Sequence, residues 1–583
     1  MHAQVVVPPS SEVPLPAKPA ADSAAPRPDT IQPPFGRSAV PRTGDIGEQY
    51  AWDRTELLAS GALSVADLLD RVPGAISFRT GWLLSPKLVA VNGDLRRVRL
   101  FYDDLELDNL DPRSGSMLDL TTVQLWTLES LTVERLGNEM RVHLRSWRVD
   151  RTTPYTRTDV FTGDEETNLY RGFYGKRFFG GQGIQLAAQQ LGTTAARLGG
   201  GGDALSVMVR AGVARARWSV DLFANRSHHT RVFQPTFGNG LSIPEFDGTY
   251  TLAYARAAIG TPSSGPWAQL VASTMRLAET SGLTAAAEAT QRRVVLDTAD
   301  TTTNRAQYLL SGGLTRGPVS VLVGHRIRAG DDKASHSPHA RLEFATSFAF
   351  ASAYAERNGQ SMTNRGDAVV RVTPLPFLAV AAAVSRVSPD DSAGTIDTRP
   401  GSTEARIEAG VRIMRRPWLS VGFITRDTAV LAAPVLFDTS YVPVAVSRRQ
   451  GAYVALRGRL YKDIGVDVVA TQWDDGGYYQ PRYQSRSEIN IITSWLSRFP
   501  SGNFGFKAVL VYDQRSATDY PVALGVRRAA ESGIASALIE IRIMRGIISY
   551  QVRNVAGLNH QTVPDFFMPR AINLYGVRWE FWN

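Results

Sequence analysis

The 583-residue chain contains no cysteine. Disulfide frameworks, thiolate metal sites and cysteine nucleophiles are thereby excluded. It also lacks long apolar runs: stretches such as Phe377 to Val384 stop well short of a helical membrane span, which needs about 20 residues. Lysine is scarce, at six of the 64 basic residues, and arginine is spread through every segment to give a net charge of +9. A nucleic-acid surface gathers its cations on one patch, so no nucleic-acid partner is expected and biased composition accounts for the charge. A membrane β-barrel stays open, because its alternating strands average out in hydropathy. At 43 % hydrophobic and 20 % charged residues, the chain is not a wholly disordered polymer.

The first residues, Met1-His2-Ala3-Gln4, match the small-residue end of a secretory signal, so the written chain is expected to start inside one. Ten prolines then fall within the 34 residues Pro8 to Pro41. That composition predicts an extended, disordered tail over residues 1–43, with ordered sequence beginning near Gly44.

Residues 44–150 read as a small α+β unit. Ser64 is placed to cap a helix with Asp67 three residues on, Val65, Leu68, Leu69 and Val72 share one face, and Pro73-Gly74 stops it. Short strands fit Leu88 to Val91 before Asn92-Gly93, Val98 to Tyr102 before Asp103-Asp104, and Leu131 to Arg135.

Residues 151–583 change character. Segments of nine to twelve residues alternate in polarity between Gly, Asp, Asn, Ser or Pro breaks. Ala452, Val454, Leu456 and Leu460 oppose Tyr453, Arg457, Arg459 and Tyr461; Ile539, Ile541 and Ile543 oppose Glu540 and Arg542. Strands of a soluble sandwich run nearer five or six residues, whereas a membrane barrel needs about nine to eleven. Short turns such as Thr315 to Pro318 alternate with long polar loops such as Ser227 to Gly248, Ser388 to Ser402, Thr428 to Arg449 and Ser516 to Gly533. The expected fold is an all-β transmembrane barrel of about 22 antiparallel strands behind a small N-terminal α+β domain.

Both parts resemble the TonB-dependent outer-membrane receptors, over roughly residues 60–583. The stretch Ala66 to Ala75, with Asp67, Leu68, Leu69, Pro73 and Gly74, is similar to the plug helix of that family. Leu100 to Leu107 and Leu128 to Leu136 are similar to later plug strands. Tyr575, Val577, Trp579 and Phe581 share one face of a closing strand that resembles the signal read by the barrel-assembly machinery. Three features depart from the pattern. The Arg-Gly-Pro and Gly-Gly stretch between plug and barrel is contracted, the chain ends in Asn583, and no clear TonB box is present, Asp29-Thr30-Ile31 and Gln4 to Val7 being only box-like. The resemblance implies a receptor in the bacterial outer membrane, with plug and tail on the periplasmic side. It would import a scarce large solute such as a metal chelate, driven by a TonB–ExbB–ExbD complex, with no cofactor. A passive or structural barrel with a fixed plug is the alternative reading.

No catalytic motif stands out. Gly199 to Gly202 lacks the Lys-Ser or Lys-Thr of a phosphate loop and reads as a turn. His228-His229 and His336 with His339 fall in expected outer loops; they are either plain loop histidines or first contacts for a metal chelate, since two imidazoles alone make an incomplete metal site. Arg457, Arg459, Arg486, Arg542, Arg553 and Arg578 are expected to face the lumen, drawing in anions or pairing with Glu488, Glu540 and Glu580 to hold plug to wall. Trp218, Trp267, Trp473, Trp495 and Tyr550 lie near strand ends, as an interfacial aromatic girdle requires.

Overall fold

The computed structural model describes residues 29–47, 49–111, 114, 117–237, 242–280, 301–330, 334–389, 401–438 and 440–582. The part of the tail before residue 29, with Gln4 to Val7, lies outside the described residues.

The N-terminal domain is built around two short helices, α1 (Arg54–Ala59) and α2 (Val65–Leu69). The Asp67 carboxylate starts α2, accepting the N–H groups of Leu63 at 2.8 Å and Ser64 at 3.3 Å. Val65, Leu68, Leu69 and Val72 are all fully buried, as their shared face predicts. After Pro73 the chain reverses at Gly74, whose φ is +83° and whose carbonyl accepts from Asn92 N–H at 2.9 Å. Seven strands follow the same economy: β1 (Ala51–Asp53), β2 (Ala75–Arg79), β3 (Lys87–Val91), β4 (Val98–Tyr102), β5 (Leu105–Glu106), β6 (Leu128–Arg135) and β7 (Met140–Ser146). They form a sheet of order β1-β6-β7-β4-β5 and a separate β2–β3 hairpin. The expected helix and strands at 88–91, 98–102 and 131–135 are present. β7, the one parallel neighbour of β4, occupies what had read as a contracted link to the barrel.

From Tyr155 to Trp582, 22 antiparallel strands pair in order and close, Tyr155↔Trp582 to Gly163↔Leu574 sealing first strand to last. Their exposure pattern inverts that of a soluble protein. On Gly202–Ala214, Leu205 is 54 % exposed while Ser206 and Arg210 are 0 %. An outward apolar belt around a polar lumen is the surface a lipid-spanning barrel presents. Tyr575, Val577 and Trp579 of the closing strand lie on this belt.

One rim carries tight turns and the other longer connections. Two expected long loops fold into hairpins of their own: Ala429–Leu431 with Val444–Val446, and Thr518–Val522 with Gly525–Ala529; a third pairs Gln561–Val563 with Phe566–Phe567. Leu431, Tyr441, Tyr479, Tyr520 and Phe566 of this rim pack on Ile76, Phe78 and Leu88 of the β2–β3 hairpin. Apolar residues inside "polar" loops therefore belong to a dome seated on the plug.

The N-terminal domain fills the lumen. Residues 29–43, expected to be disordered tail, are instead laid along the wall. Phe35 is 2 % exposed beneath the Arg177 guanidinium, and Gly36 N–H donates to Ser219 Oγ at 2.7 Å. Proline-rich composition prevents this segment from forming regular structure, but a preformed groove orders it without any.

Gly74→Ala tests the turn after α2. The left-handed φ disfavours a side chain, and a Cβ there would stand 2.7 Å from Asn92 Oδ1. The change should cost about 1–3 kcal/mol locally, read as at least tenfold faster amide exchange across α2, β2 and β3 with the barrel strands unchanged.

Candidate functional site

The functional geometry is the boundary between plug and wall, which divides into three sectors. Along the strands from Tyr155 to Arg316 the boundary is mixed: Phe173, Met208, Phe223, Tyr254, Val271 and Leu309 close over the plug's Tyr102, Trp126 and Trp147, while Arg210 and Arg256 pair with the plug's Asp103 at 3.5 Å and Asp104 at 3.3 Å. Phe223 and Tyr254 stack at 5.0 Å, and Phe223 meets Tyr102 at 5.7 Å.

Along Val319–Arg412 the boundary is ionic. Glu134 takes both ends of Arg341, at 2.5 and 3.0 Å, and Arg141 reaches Asp367 at 2.6 Å. Arg99 bridges Glu106 and Glu356, each at 2.6 Å, and Arg326 returns to Glu106 at 2.9 Å. Arg97 pairs with Glu404, and Arg365 with Glu139. All of these carboxylates are buried, so removing one partner would strand a charge at a cost of about 3–5 kcal/mol.

Along Trp418–Trp582 the wall grips plug backbone. Lys507 donates to Ala59 O at 2.5 Å, Gln551 and Arg553 to Gly61 O at 2.9 and 3.0 Å, Gln484 to Ala75 O at 2.7 Å and Arg515 to Ser77 O at 2.6 Å. Arg578 holds Leu58 O and Glu540 together. Asp67 of the plug helix closes on Arg553 at 3.0 Å and Arg79 at 2.9 Å. Burial alone would raise the Asp67 carboxyl, but Arg553 and Arg79 hold it below the usual carboxylate range. Leu68 and Leu69 pack in the plug core, while Asp67, Asp70, Arg71 and Ala75 of the same stretch touch the wall.

Among the arginines expected to face the lumen, Arg553 and Arg578 clamp the plug, Arg457 stacks on Tyr50 at 4.0 Å, and Arg486 pairs with Asp513 at 2.9 Å. Glu488 is shared with the plug's Arg71 at 3.2 Å. Arg459 and Arg542 share strand parity with Arg457 and Glu540 but lie at the strand ends and are exposed, Arg542 binding the carbonyls of Gly502 and Phe504 at a short turn. Trp218, Trp495 and Tyr550 face outward, but Trp267 and Trp473 are buried at 6 % and 3 %. Alternation along the strand decides this, and nearness to its end does not.

The histidines need a larger correction. Neither pair is in a loop. His228 and His229 lie on Trp218–Arg231, and His336 and His339 on Ser335–Ala345, because these strands continue beyond the point where their apolar pattern ends. His228 and His336 face outward while His229 and His339 face the lumen, so neither pair converges. His229 Nε2 meets Ser227 Oγ at 2.5 Å and Gln124 at 3.2 Å. Serine and amide meet the same ring nitrogen, whereas a hydrolytic triad orients its histidine through the other one, so this serine–histidine contact is packing. The Gly199 to Gly202 run is a connection, with Gly199 and Gly200 both at positive φ.

Above the ionic sector, at the long-connection rim, a cavity of about 740 Å³ opens between plug and wall. Arg96, Arg97, Arg99, Arg305, Arg328 and Arg365 line it with Asp94, Glu106, Asp108, Glu139 and Glu356. Burial pushes the Asp108 carboxyl up despite Arg328 nearby. Of these plug residues, Asp94, Arg96, Arg97, Asp108 and Glu139 lie in connections after β3, β5 and β6, where no periodic pattern marks them in the sequence, and Arg99 and Glu106 lie on the short strands β4 and β5.

No protein-family model matches the sequence, and no curated protein matches it. Solved structures do match. The siderophore receptor PirA from Acinetobacter baumannii superposes with a TM-score of 0.67 at 11 % identity, covering 91 % of this chain and 98 % of its own. A mutant of the ferric enterobactin receptor PfeA from Pseudomonas aeruginosa gives 0.68 at 8 % identity, covering 91 % and 98 %. The copper transporter OprC gives 0.64 at 11 % identity, covering 89 % and 96 %. The chain thus has the fold of these plugged 22-strand receptors along nearly its whole described length.

The ionic sector sets a pH dependence. Burial would raise Glu134 and Glu106, but Arg341 and His143 hold the first, and Arg328, Arg99 and Arg326 the second, well below the ordinary carboxyl range. Groups depressed in the folded state add stability that is complete above their unfolded values, about pH 4–5, and is lost as pH falls through the folded ones. Amide exchange of β4 to β7, corrected for intrinsic rate, should be flat from pH 7 to 5 and rise below pH 4. A rise between pH 7 and 6 would contradict this assignment.

Proposed function

We propose that the chain is a TonB-dependent receptor of the bacterial outer membrane, importing a scarce polar solute such as a metal chelate. The observation that carries this reading is the charged cavity of about 740 Å³ above a plug that fills a 22-strand barrel. A permanent stopper needs no such chamber, whereas a receptor needs a place to hold its solute before the plug yields. The long-connection rim then faces the exterior, and the plug with its N-terminal strap faces the periplasm.

Neighbours named for siderophores and copper favour a metal-bearing solute. The chamber's nearly balanced charges suit a ligand with several polar groups more than a simple anion. The Ser/His and acidic clusters are engaged in packing and clamping, which favours transport over hydrolysis.

Energy would enter through Asp29, Thr30 and Ile31. Ile31 bridges to Arg151, and the Asp29 carboxylate accepts from Thr153 N–H and Arg151 at 3.1 Å each. Ile31 remains 70 % exposed. An extended segment tied at one edge can exchange that edge for a strand of TonB, the β-augmentation mode of recognition. Partnership with the barrel-assembly machinery rests on the outward aromatic face of the closing strand.

Binding of the purified, folded chain to the periplasmic domain of TonB tests the proposal. Full-length protein should bind, and protein lacking residues 1–31 should lose at least tenfold in affinity. No binding by the full chain would favour the fixed-plug barrel.

A further inference from the structure

The correction of the histidines exposes a pair that the sequence spacing hides. His336 is partnered by His325, eleven residues earlier on the neighbouring strand Val319–Ala329. His325 Nε2 and His336 Nδ1 stand 3.2 Å apart, with the rings inclined at 74°. Both side chains lie on the outer surface of the barrel, toward the long-connection rim.

Their surroundings make two imidazoles out of place. Along the same outward row, Val321 and Val323 are 38 % and 59 % exposed. The residues opposite His325 on either side are Leu310 and Pro338, and His336 stands opposite Ile327. A polar side chain on a lipid-facing wall is costly, and such a residue marks function by default. A structural reason, such as clamping the plug, does not apply on this face of the wall.

We propose that His325 and His336 form a surface site for a divalent transition-metal ion. Two metal–nitrogen bonds of about 2.0–2.1 Å meeting at the tetrahedral angle place their nitrogens about 3.3–3.4 Å apart. The observed 3.2 Å, a hydrogen bond between the two rings, is close to the bite of a chelating pair; a metal replaces the shared proton, which moves to the far nitrogen of its ring or to solvent, and small ring rotations then aim both lone pairs at one point. Imidazole donors select zinc, nickel or copper over the oxygen-seeking calcium and magnesium. His336 is the second residue of its strand, so the pair sits at the rim edge of the apolar belt, where water reaches it and supplies the remaining ligands. With only two protein ligands the site is weak and exchangeable, and it ties Val319–Ala329 to Ser335–Ala345 near the connection between them. It is separate from the chamber above the plug and does not depend on the transport reading.

The test is equilibrium dialysis of the untagged full chain against zinc titrated from the micromolar into the millimolar range, with bound metal counted per chain. His325→Phe and His336→Phe keep an aromatic ring suited to the lipid face and remove the donor, and unheated gel mobility confirms that each barrel is folded. Each variant should bind one zinc fewer than wild type, while Leu310→Ala, which leaves both rings, should bind the same number as wild type. Equal zinc stoichiometry in wild type and both histidine variants would overturn the proposal, as would loss of a zinc in only one of them.

Discussion

Hydrocarbon offers no partner to a backbone N–H or C=O, and the rest of this structure follows from that constraint. The sheet must close, so the strand beginning at Tyr155 pairs with the strand ending at Trp582. Closure at 22 strands makes a lumen too wide for side chains to fill. A separate domain therefore occupies it, and the wall facing that domain is free to be polar. The inverted burial pattern, with Ser206 and Arg210 hidden and Leu205 exposed, is the local signature of the same constraint.

A polar boundary between plug and wall has to pair the charges it buries. Arginine does this here better than lysine could, because a planar fork with five donors spans two carboxylates or a carboxylate and a carbonyl. Arg99 between Glu106 and Glu356, and Arg578 between Glu540 and the Leu58 carbonyl, are examples. Part of the arginine-rich composition therefore serves the plug boundary. Ion pairs and carbonyl contacts can be exchanged for water without exposing apolar surface, while the stacked Phe223 and Tyr254 sector cannot.

Much of the fold was legible because it follows simple periodicities. Alternation over strands longer than a soluble sheet uses gave the barrel and its strand number, and Ser64, Asp67 and Pro73-Gly74 marked α2. What stayed hidden depends on contacts distant in sequence. Phe35 and Gly36 are ordered only by a groove made from Arg177 and Ser219. Tyr441 and Tyr520 read as loop residues until the fold gathers them with Phe78. His228 and His336 were assigned to loops because apolar alternation fades before the strands end, and the partner of His336 lies on another strand. The chamber was illegible for the same reason, since Arg99 and Glu356 are 257 positions apart.

The account turns on the plug being what closes the barrel. Conductance across a planar bilayer tests this most directly, comparing the full chain with a form lacking residues 29–150 at neutral pH. The full chain should be silent, and the shortened barrel should show a large, persistent conductance. A conducting full chain, or a folded plugless barrel that stays silent, would contradict it.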